Sequence, residues 1–427
     1  MATTLDRAAE PAGHPAGQAD ALAAIEPLFS QVAPPLPPVQ FTGAVGARYN
    51  MGAGQPDPAS LPRQDLAEIV TSLLASDEGN AALMYGDASG YQGLREALSD
   101  KLRRWEHLDV APDELLIVNG SNHGLALVVQ AFVNPGEVAI VEAPSFMGGL
   151  RPLRQLQARI EMVPLDDGGL QVDALEQKLH DLRAAGTPAK LLYTIPTFHN
   201  PAGVSLPLAR RRRVAELADE YNFVILEDDA YGELRFSGDP LPAIYGLATP
   251  GRVVRSATLS KILAAGLRVG YLSAPREVIA RLNSLKLDGG ASPFIGRVAT
   301  AWLQAHYDEH VRQLVDVYRA KRDALVQGLE RGLPPGDPLR PRWHVPAGGF
   351  FLWLKLPARL DPAVVAQEAN QRGVAYVPGT AFFADGSGGE HIRLAWSMLS
   401  VEDLKAAGGL LAEAIHAAAA AHPPHAT

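Results

Sequence analysis

The 427 residues can form one large domain and a smaller one, each with an apolar core, and a composition that is 47% hydrophobic and 20% charged excludes wholesale disorder. The formal net charge of -9 gives no electrostatic basis for binding nucleic acid or an anionic membrane, and the absence of cysteine excludes disulfides, thiolate metal sites and thiol nucleophiles. Small molecules are therefore the expected partners, no metal site is predicted, and the lack of a secretory or membrane-spanning apolar run favours a cytoplasmic location.

Residues 1–38 are rich in Ala and Pro, which predicts a flexible N-terminal arm rather than a domain. From about Leu115 onward, short apolar runs alternate with segments of helical period, the pattern of an α/β fold in which helices cover both faces of a mostly parallel sheet. The predicted strands, each bounded by Gly, Pro, Asn or Asp, are 115–118, 138–141, 190–195, 223–226, 252–255 and 268–272. Helices are predicted after Ser121 and after the Asn-Pro-Ala-Gly turn that begins at Asn200.

A long helix is predicted from about Gly296 through Leu329, with a break near Tyr307, and it should lead away from the sheet. After it, short apolar strands in GGFFLWLKL, GVAYVPG and HIRLAWS alternate with helices at 361–372 and 401–420, which predicts a smaller α+β domain. The predicted domains are 39–80 for the N-terminal part of the small domain, 81–325 for the large domain and 326–427 for the C-terminal small domain.

Two segments carry residues that could take part in a chemical reaction. SATLSKILAAGLRVGY places Lys261 after a hydroxyl-rich turn, and a buried lysine there could form an imine with an aldehyde, because desolvation and nearby cations lower its pKa. The alternative is a surface lysine after a strand. LEDDAYGEL ends an apolar strand on carboxylates, with Tyr231 three residues after Asp228. Its alternative is an acidic loop at a helix start, and Asp229 is interpreted as structural.

LLIVNGSNHGLALV combines a strand, a small-residue turn at Gly120 and an apolar helix that begins near Ser121. A helix N-terminus presents backbone N–H groups and a positive dipole end, so this turn is a candidate anion seat, and a simple helix cap is the alternative. Asn200 in an Asn-Pro turn, Arg393 in a strand and Phe146 in an apolar segment are commonplace when each is considered alone.

Taken together, MGAGQPDP, YG, GSN, PSF, NPAG, DDAY, SK with GLR, and IRL follow one another in an order that resembles the fold-type I pyridoxal 5'-phosphate (PLP) enzymes. The resemblance covers about residues 45 to 415 and points to the class I/II aminotransferases, in the aminoadipate and aromatic branch. It implies a large domain with a mostly parallel seven-stranded sheet, a smaller α+β domain and a homodimer. That branch also contains regulators with a DNA-binding winged helix, but the segment preceding the fold here is short and not basic.

The resemblance implies a role in cofactor binding for most of these motifs. Lys261 would hold PLP as a Schiff base, Asp228 would keep its pyridine nitrogen protonated, and Tyr231 would hydrogen-bond its ring oxygen. The residues implied at the phosphate are Gly120, Ser121, Asn122, Thr258, Ser260, Arg268 and, from the other subunit, Tyr85.

The remaining implied roles concern the ring face and the substrate. Phe146 would stack on the pyridine ring, and Asn200 would lie beside the ring oxygen and the substrate. Arg393 would hold the substrate α-carboxylate in a two-pronged salt bridge, and Gly54 would admit the backbone close to the ligand. Arg48 either meets an acidic substrate side chain or is exposed.

The resemblance implies an aminotransferase that moves an amino group between an L-amino acid and a 2-oxo acid, through the Lys261 Schiff base and a quinonoid intermediate. The alternatives are a PLP-dependent lyase, oxidase or carbon-carbon bond-forming enzyme on the same fold, and a non-catalytic PLP-binding module. The chain departs from the family pattern at Phe146 in place of Tyr, His199 in place of Gln, Ala202 in place of Thr and Ala265 in place of Pro. These departures leave the fate of the substrate carbanion open.

Overall fold

The computed structural model describes residues 26–30 and 46–421. The predicted arm at 1–38 falls almost entirely outside the described residues, so its conformation stays a prediction. The described residues from 46 onward belong to one compact unit. Within these ranges, no helix is long and apolar enough to cross a membrane.

Helices and strands alternate along most of the described chain. The α-helices are α1 (Arg63–Ala75), α2 (Gly79–Ala82), α3 (Gln92–Lys101), α4 (Ser121–Phe132), α5 (Met147–Gln155), α6 (Val172–Ala184), α7 (Leu208–Tyr221), α8 (Arg276–Ser284), α9 (Pro293–Ala305), α10 (Tyr307–Gly332), α11 (Pro362–Gln371) and α12 (Val401–Ala421). The strands are β1 (Tyr49–Asn50), β2 (Leu115–Asn119), β3 (Val138–Ala143), β4 (Arg159–Asp166), β5 (Gly169–Leu170), β6 (Ala189–Thr194), β7 (Val224–Asp229), β8 (Val253–Thr258), β9 (Val269–Ser273), β10 (Phe351–Lys355), β11 (Val374–Ala375), β12 (Val377–Pro378) and β13 (His391–Ala395).

The central sheet contains eight strands in the order β2-β9-β8-β7-β6-β3-β4-β5. Strands β8, β7, β6, β3 and β4 run parallel to one another, whereas β9 is antiparallel to both of its neighbours. The α/β class with a mostly parallel sheet is therefore confirmed. The predicted count of seven strands is one short, because β5 adds a two-residue strand in a hairpin with β4.

No strand is predicted from the sequence where β4 lies. Its residues mix charges with apolar side chains and include Pro164, which argues against a central strand. In the fold β4 lies near the edge of the sheet, covered on its outer side by β5 only at Leu165 and Asp166. An edge position tolerates proline and partly exposed side chains, which is why the apolar pattern is weak there.

Successive residues of the central strands face opposite layers of the fold. On β6, Tyr193 packs into the apolar cluster formed with α4 and α5, while Leu192 packs into the cluster formed with α6 and α7. On β7, Leu226 belongs to the first of these clusters. Because side chains alternate along a strand, Asp228 shares the face of Leu226 and Tyr193, and Asp229 faces the other layer.

Short strands outside the central sheet form two small sheets, one of which pairs the start of the described chain with its C-terminal part. β1 pairs in parallel with β11, and β13 lies between β10 and β12 as an antiparallel partner of both. The predicted break in the long helix is confirmed, since α9 ends at Ala305 and α10 begins at Tyr307. The predicted domain boundaries at 80 and 325 stay a prediction.

Candidate active site

The segments singled out in the sequence converge on one edge of the central sheet. β2 is antiparallel to β9, and β9 is antiparallel to β8, so β2 runs in the same direction as the parallel strands. The segments that follow the carboxyl ends of β2, β3, β6, β7 and β8 begin at 120, 144, 195, 230 and 259. In open α/β sheets this edge is where ligands bind.

Lys261 lies in a turn of π-helix, Ser260–Ala264, directly after β8. Its Nζ donates a hydrogen bond to the Gly54 carbonyl at 2.8 Å. Burial, and then the Arg393 and Arg268 cations, lower the pKa of Lys261 to about 8, with Asp228 opposing them. A lysine of this kind exchanges its proton readily near neutral pH, as imine formation and proton transfer require.

Asp228 is buried near the end of β7 and uses one carboxylate oxygen within the protein. Its Oδ2 accepts a hydrogen bond from the Tyr193 hydroxyl at 2.8 Å. Its Oδ1 is buried and finds no hydrogen-bond partner among the described residues. Burial raises the pKa of Asp228 to about 7, while the Tyr193 hydrogen bond lowers it. A buried acceptor without a partner costs free energy, so this oxygen is suited to a ligand donor.

Tyr231, Asn200 and Arg393 form a buried polar group beside Lys261. Burial raises the pKa of Tyr231 above its ordinary value, and the neighbouring Asn200 side chain opposes this shift. Arg393 Nη1 donates to Asn200 Oδ1 at 3.1 Å. Lys261 Nζ lies 5.8 Å from the centre of the Tyr231 ring. The turn after β6, the end of β7 and β13 therefore meet at one point.

Arg393 is 5% exposed and is held from several sides. Its Nη2 donates to the Gly52 carbonyl at 2.6 Å, and its guanidinium carbon lies 4.3 Å from the centre of the Phe351 ring and 4.9 Å from that of Phe382. Within the described part of the chain its Nε has no acceptor. Burial lowers the pKa of Arg393 to about 10, which leaves it charged at neutral pH. A fixed, charged fork with a free donor is suited to a carboxylate.

The turn from β2 into α4 forms the predicted anion seat. Gly120 precedes the helix with φ of +80°, and Ser121 and Asn122, both half-buried, lie in its first turn. A Cβ on Gly120 would collide with the guanidinium of Arg268, whose Nη2 donates to the Asn119 carbonyl at 3.2 Å. Only glycine lets this exposed guanidinium come so close to the backbone at the helix N-terminus.

Thr258 and Ser260 lie beside this seat at the end of β8. Thr258 Oγ1 lies 3.0 Å from the Val269 carbonyl and 2.9 Å from Ser260 Oγ, and it accepts a hydrogen bond from the Ser260 backbone N–H at 3.1 Å. Both side chains are buried. The hydroxyl of Ser260 is therefore oriented by Thr258.

Three predicted residues stand apart from these contacts. Phe146 precedes α5 and packs, partly buried, against the cluster formed with α4 and α5. Tyr85 is 98% exposed and has no hydrogen-bond partner in the ranges that the structure covers, so this chain alone does not bring it to the site. Arg48 is also exposed, with its guanidinium carbon 5.0 Å from the centre of the Tyr49 ring, which agrees with the second of its two interpretations.

Asp229 belongs to a buried ionic cluster on the face of β7 opposite Asp228, as its structural interpretation requires. Its Oδ2 accepts from Arg255 Nη2 at 2.6 Å, and Arg255 also pairs with Glu106. Glu106 and Glu233 both pair with Lys101, at 2.7 Å and 2.5 Å. Burial works to raise the pKa of Asp229, but Arg255 holds it below its ordinary value.

Sequence reasoning gave no role to several residues that shape the site. Tyr193 lies within a predicted strand, and its hydroxyl on a buried strand next to β7 was the signal that could have found it. The aromatic rings of Phe351 and Phe382 and the Gly52 carbonyl had no such signal, because their contacts with Arg393 join separate elements and, for Gly52, distant segments of the chain. The rings lie on or beside the small sheet formed by β10, β12 and β13.

His199, one of the departures from the family pattern, is fully engaged inside the protein. The Ala202 backbone N–H donates to its Nδ1 at 3.2 Å, so its Nε2 carries the proton and donates to Glu142 Oε2 at 3.0 Å. Glu142 also accepts from Thr194 Oγ1 at 2.7 Å and from the Ile195 backbone N–H at 2.8 Å. This pair fixes the turn that carries Asn200.

The residues present fit the cofactor that the resemblance implies. PLP needs an amine for its aldehyde, an anionic acceptor for its ring nitrogen and a set of donors for its phosphate. Lys261, the unpartnered oxygen of Asp228, and the turn at Gly120 with Arg268 supply these three in one edge of the sheet.

Comparisons with known proteins agree with this fit. The family model for aminotransferase class I and II matches residues 49–408. Aromatic-amino-acid aminotransferase 1 of Thermococcus litoralis is 36% identical over 369 residues, covering 86% of this chain and 87% of that protein. The 2-aminoadipate transaminase of Thermus thermophilus is 33% identical over 361 residues, covering 83% of this chain and 87% of that protein.

A solved structure of kynurenine aminotransferase from Pyrococcus horikoshii, in complex with PMP, matches with a TM-score of 0.86 at 32% identity, covering 93% of this chain and 99% of that one. The predicted cofactor and the predicted transamination are thereby confirmed over the alternative reactions. The chain belongs to the class I and II aminotransferases, and it is a PLP-dependent enzyme that moves an amino group between an amino acid and a 2-oxo acid.

Proposed function

We propose that Lys261 is the residue that bonds the cofactor's aldehyde carbon and that, once the substrate's amine has displaced it from that carbon, its free amine moves the substrate's α-proton. The observation that carries the proposal is the position of its amine, which the Gly54 carbonyl holds at 2.8 Å and whose charge interacts with Arg393, Arg268 and Asp228. When bound, PLP supplies an aldehyde that condenses with amines and a protonated ring that accepts the electrons released at the substrate's α-carbon. With a pKa of about 8, Lys261 can take up and return a proton near neutral pH.

The other roles follow from the neighbours of Lys261. We propose that Asp228 holds the ring nitrogen protonated through Oδ1, because that oxygen is buried and unpartnered in the described residues. Tyr231 and Asn200, whose side chains interact, would hold the ring oxygen. Arg393 would take the substrate's α-carboxylate, which places the α-carbon near the Lys261 amine.

The phosphate and ring contacts are proposed from the segments at the starts of α4 and α5 and at the end of β8. The phosphate donors would be Gly120, Ser121, Asn122, Thr258, Ser260 and Arg268, which lie around the N-terminus of α4. Phe146, at the start of α5, would cover one face of the ring.

The Lys261 proposal is tested by reducing the purified, cofactor-loaded protein with borohydride and mapping the labelled peptide by mass spectrometry. We expect the label on Lys261, and we expect Lys261→Ala to lose multiple turnover. Lys178→Ala is the matched control, because Lys178 pairs with Glu161 at the surface, away from the site. A label on another lysine, or sustained turnover by Lys261→Ala, would overturn the proposal.

For the substrate, we propose L-amino acids with an aromatic or an aminoadipate-like side chain as amino donors. The support is the printed names of the relatives, an aromatic-amino-acid aminotransferase and a 2-aminoadipate transaminase. The test is a screen of single amino acids against the absorbance of the bound cofactor, with 2-oxo acid added afterwards. A preference for small or basic amino acids would refute this substrate class while leaving the aminotransferase reaction intact.

We propose that the enzyme is a homodimer whose interface includes Tyr85. The loop that holds Tyr85 lies against the loop at 286–290, since Lys286 Nζ donates to the Ala88 carbonyl at 2.6 Å. Tyr85 and Leu287 are 98% and 97% exposed, and Met84 is also largely exposed. An apolar patch of this kind marks an interaction surface, and a two-fold interface would supply Tyr85 to the partner's phosphate site.

Sedimentation at assay concentration tests the dimer. We expect Leu287→Asp to shift the protein toward monomer and to weaken cofactor binding, whereas Val345→Asp, at another exposed apolar position, should do neither. A fully active monomer would contradict the proposal.

The cytoplasmic location and the domain division at 80 and 325 remain proposals from the sequence. The pairing of β1 with β11 supports placing 39–80 with the C-terminal domain.

A further inference from the structure

Asp228 is held by a second buried group that no motif singles out. Tyr193 is 1% exposed, and its hydroxyl lies 2.8 Å from Asp228 Oδ2. Tyr193 lies on β6 opposite Leu226 of β7, so its side chain and that of Asp228 project from the same face of neighbouring strands. The contact is therefore built into the pairing of the two strands.

The fold also reserves space for the Tyr193 ring. A Cβ on Gly149 of α5 would collide with that ring and lie 2.7 Å from its hydroxyl oxygen. Gly149 has no positive φ that would require glycine for backbone reasons. The absence of a side chain there serves the close approach of the helix to Tyr193.

Tyr193 is the donor in this contact, from its hydroxyl to Asp228 Oδ2. Burial, and then Asp228, raise the pKa of Tyr193 well above its ordinary value, so its hydroxyl keeps its proton. Asp228 must then accept at Oδ2, which favours its ionised form and leaves Oδ1 for another donor. The surrounding groups act in both directions: Asp229 and Glu142 raise the pKa of Asp228, and Lys261 lowers it.

We propose that Tyr193 is a positioning residue that keeps Asp228 ionised and fixed by one oxygen, so that the other oxygen is available to the cofactor's ring nitrogen. The inference rests on the proposed function of Asp228. The contact of Tyr193 with Asp228 can nevertheless be tested in the apo-protein, independently of any reaction.

The first experiment measures the unfolding free energy of the apo-protein as a function of pH. Asp228 has a folded pKa raised above its unfolded value, so its contribution to stability is present below about pH 4 and is lost as pH rises through about 7. Tyr193→Phe removes the hydroxyl that lowers this pKa. We expect the midpoint of this loss to move upward by about one to two pH units. A shift of this size corresponds to the free energy of one charge-assisted hydrogen bond.

Reference variants isolate Asp228 in this profile. Subtracting the profile of Asp228→Asn from that of the wild type, and of Tyr193→Phe/Asp228→Asn from Tyr193→Phe, gives the Asp228 contribution in each background. Tyr318→Phe is the matched control, because Tyr318 is equally buried and its hydroxyl accepts only the Asp57 backbone N–H, at 2.9 Å. If the Asp228 midpoint is the same in both backgrounds, the inference is wrong.

A second variant covers the case in which Tyr193→Phe folds poorly. Gly149→Ala keeps the hydroxyl but displaces the Tyr193 ring, so it should move the Asp228 midpoint in the same direction. Gly409→Ala is its control, since a Cβ there meets nothing within 4 Å. A shift of equal size in Gly409→Ala would mean that the profile does not report on this contact.

The loaded enzyme provides the second readout. We expect Tyr193→Phe to lower kcat about tenfold, with little change in KM for the amino acid, and to shift the pH dependence of the bound cofactor's absorbance. In the Asp228→Asn background the same substitution should cost nothing further, because Tyr193 acts through Asp228. An additive loss would overturn the inference, whereas a normal rate in Asp228→Asn alone would overturn the proposed role of Asp228 instead.

Discussion

Arg393→Lys preserves a positive charge at position 393 but replaces a planar fork with a single ammonium. In the structure the guanidinium donates to the Gly52 carbonyl and to Asn200 Oδ1, lies against the rings of Phe351 and Phe382, and still has Nε without an acceptor among the described residues. An ammonium cannot keep these contacts and also meet both oxygens of a carboxylate. The substitution should therefore weaken substrate capture while leaving the cofactor contacts in place.

The magnitude follows from the contact that is lost. A hydrogen bond to a charged group contributes about 1.5 to 3 kcal/mol, and each 1.4 kcal/mol changes an equilibrium constant about tenfold. We therefore expect amino acids to bind about ten to about one hundred times more weakly to Arg393→Lys. Arg393 acts on Lys261 through its charge, and Arg393→Lys keeps that charge. The absorbance of the cofactor bound to Lys261 should therefore not change.

The assay is a titration of the bound cofactor's absorbance with a series of amino acids and with the corresponding amines that lack the carboxylate. The variant should lose affinity for the amino acids and not for the amines. Arg322→Lys is the matched control, since Arg322 likewise packs against an aromatic ring and donates to a backbone carbonyl. Equal losses for amines and amino acids, or unchanged affinity for both, would refute the assignment of the carboxylate to Arg393.

Two further predictions concern proton positions. Asp228→Asn should retain the cofactor but lose up to about a thousandfold in kcat, because a unit charge at about 4 Å in an effective dielectric of about 20 is worth about 4 kcal/mol; single-turnover kinetics measure this, and a normal rate would contradict it. The rate at which apo-protein incorporates PLP should rise with pH and level off above about 8, because the neutral Lys261 amine is the nucleophile. Arg393→Gln should move this midpoint upward, since removal of a cation raises the pKa of Lys261, and a downward shift in a stopped-flow titration would show that another group controls the rate.

The sequence predicted the parts of the fold that repeat a strong apolar pattern. β3 and β6 are buried runs bounded by turn residues, and the break before Tyr307 was visible as an interruption of helical period. β4 was missed because an edge strand tolerates Pro164 and charges. The acidic residues of β7 were placed after the strand, but they lie within it, because the buried partners Tyr193 and Arg255 satisfy them there.

The site was predictable to the extent that its residues sit in local motifs. Lys261 and the turn at Gly120 each follow a strand with its own signal, and Asp228 lies near the end of one. The enclosure of Arg393 was not predictable, because Gly52 and Phe351 come from segments about 300 residues apart and nothing in either segment points to the other. Contacts of this range depend on how the small sheet packs over the carboxyl edge of the large one.

The two adjacent aspartates of β7 cannot substitute for one another, although their side chains are chemically identical. A slip of one residue in the pairing of β7 would turn Asp229 toward the cofactor side and bury Asp228 against Arg255. Arg255 pairs with Asp229 and Glu106 on the face of β7 opposite Asp228, and these ion pairs tie Asp229 to that face. An ionic cluster on the face of β7 opposite Asp228 thus helps to set the pairing register of the strand.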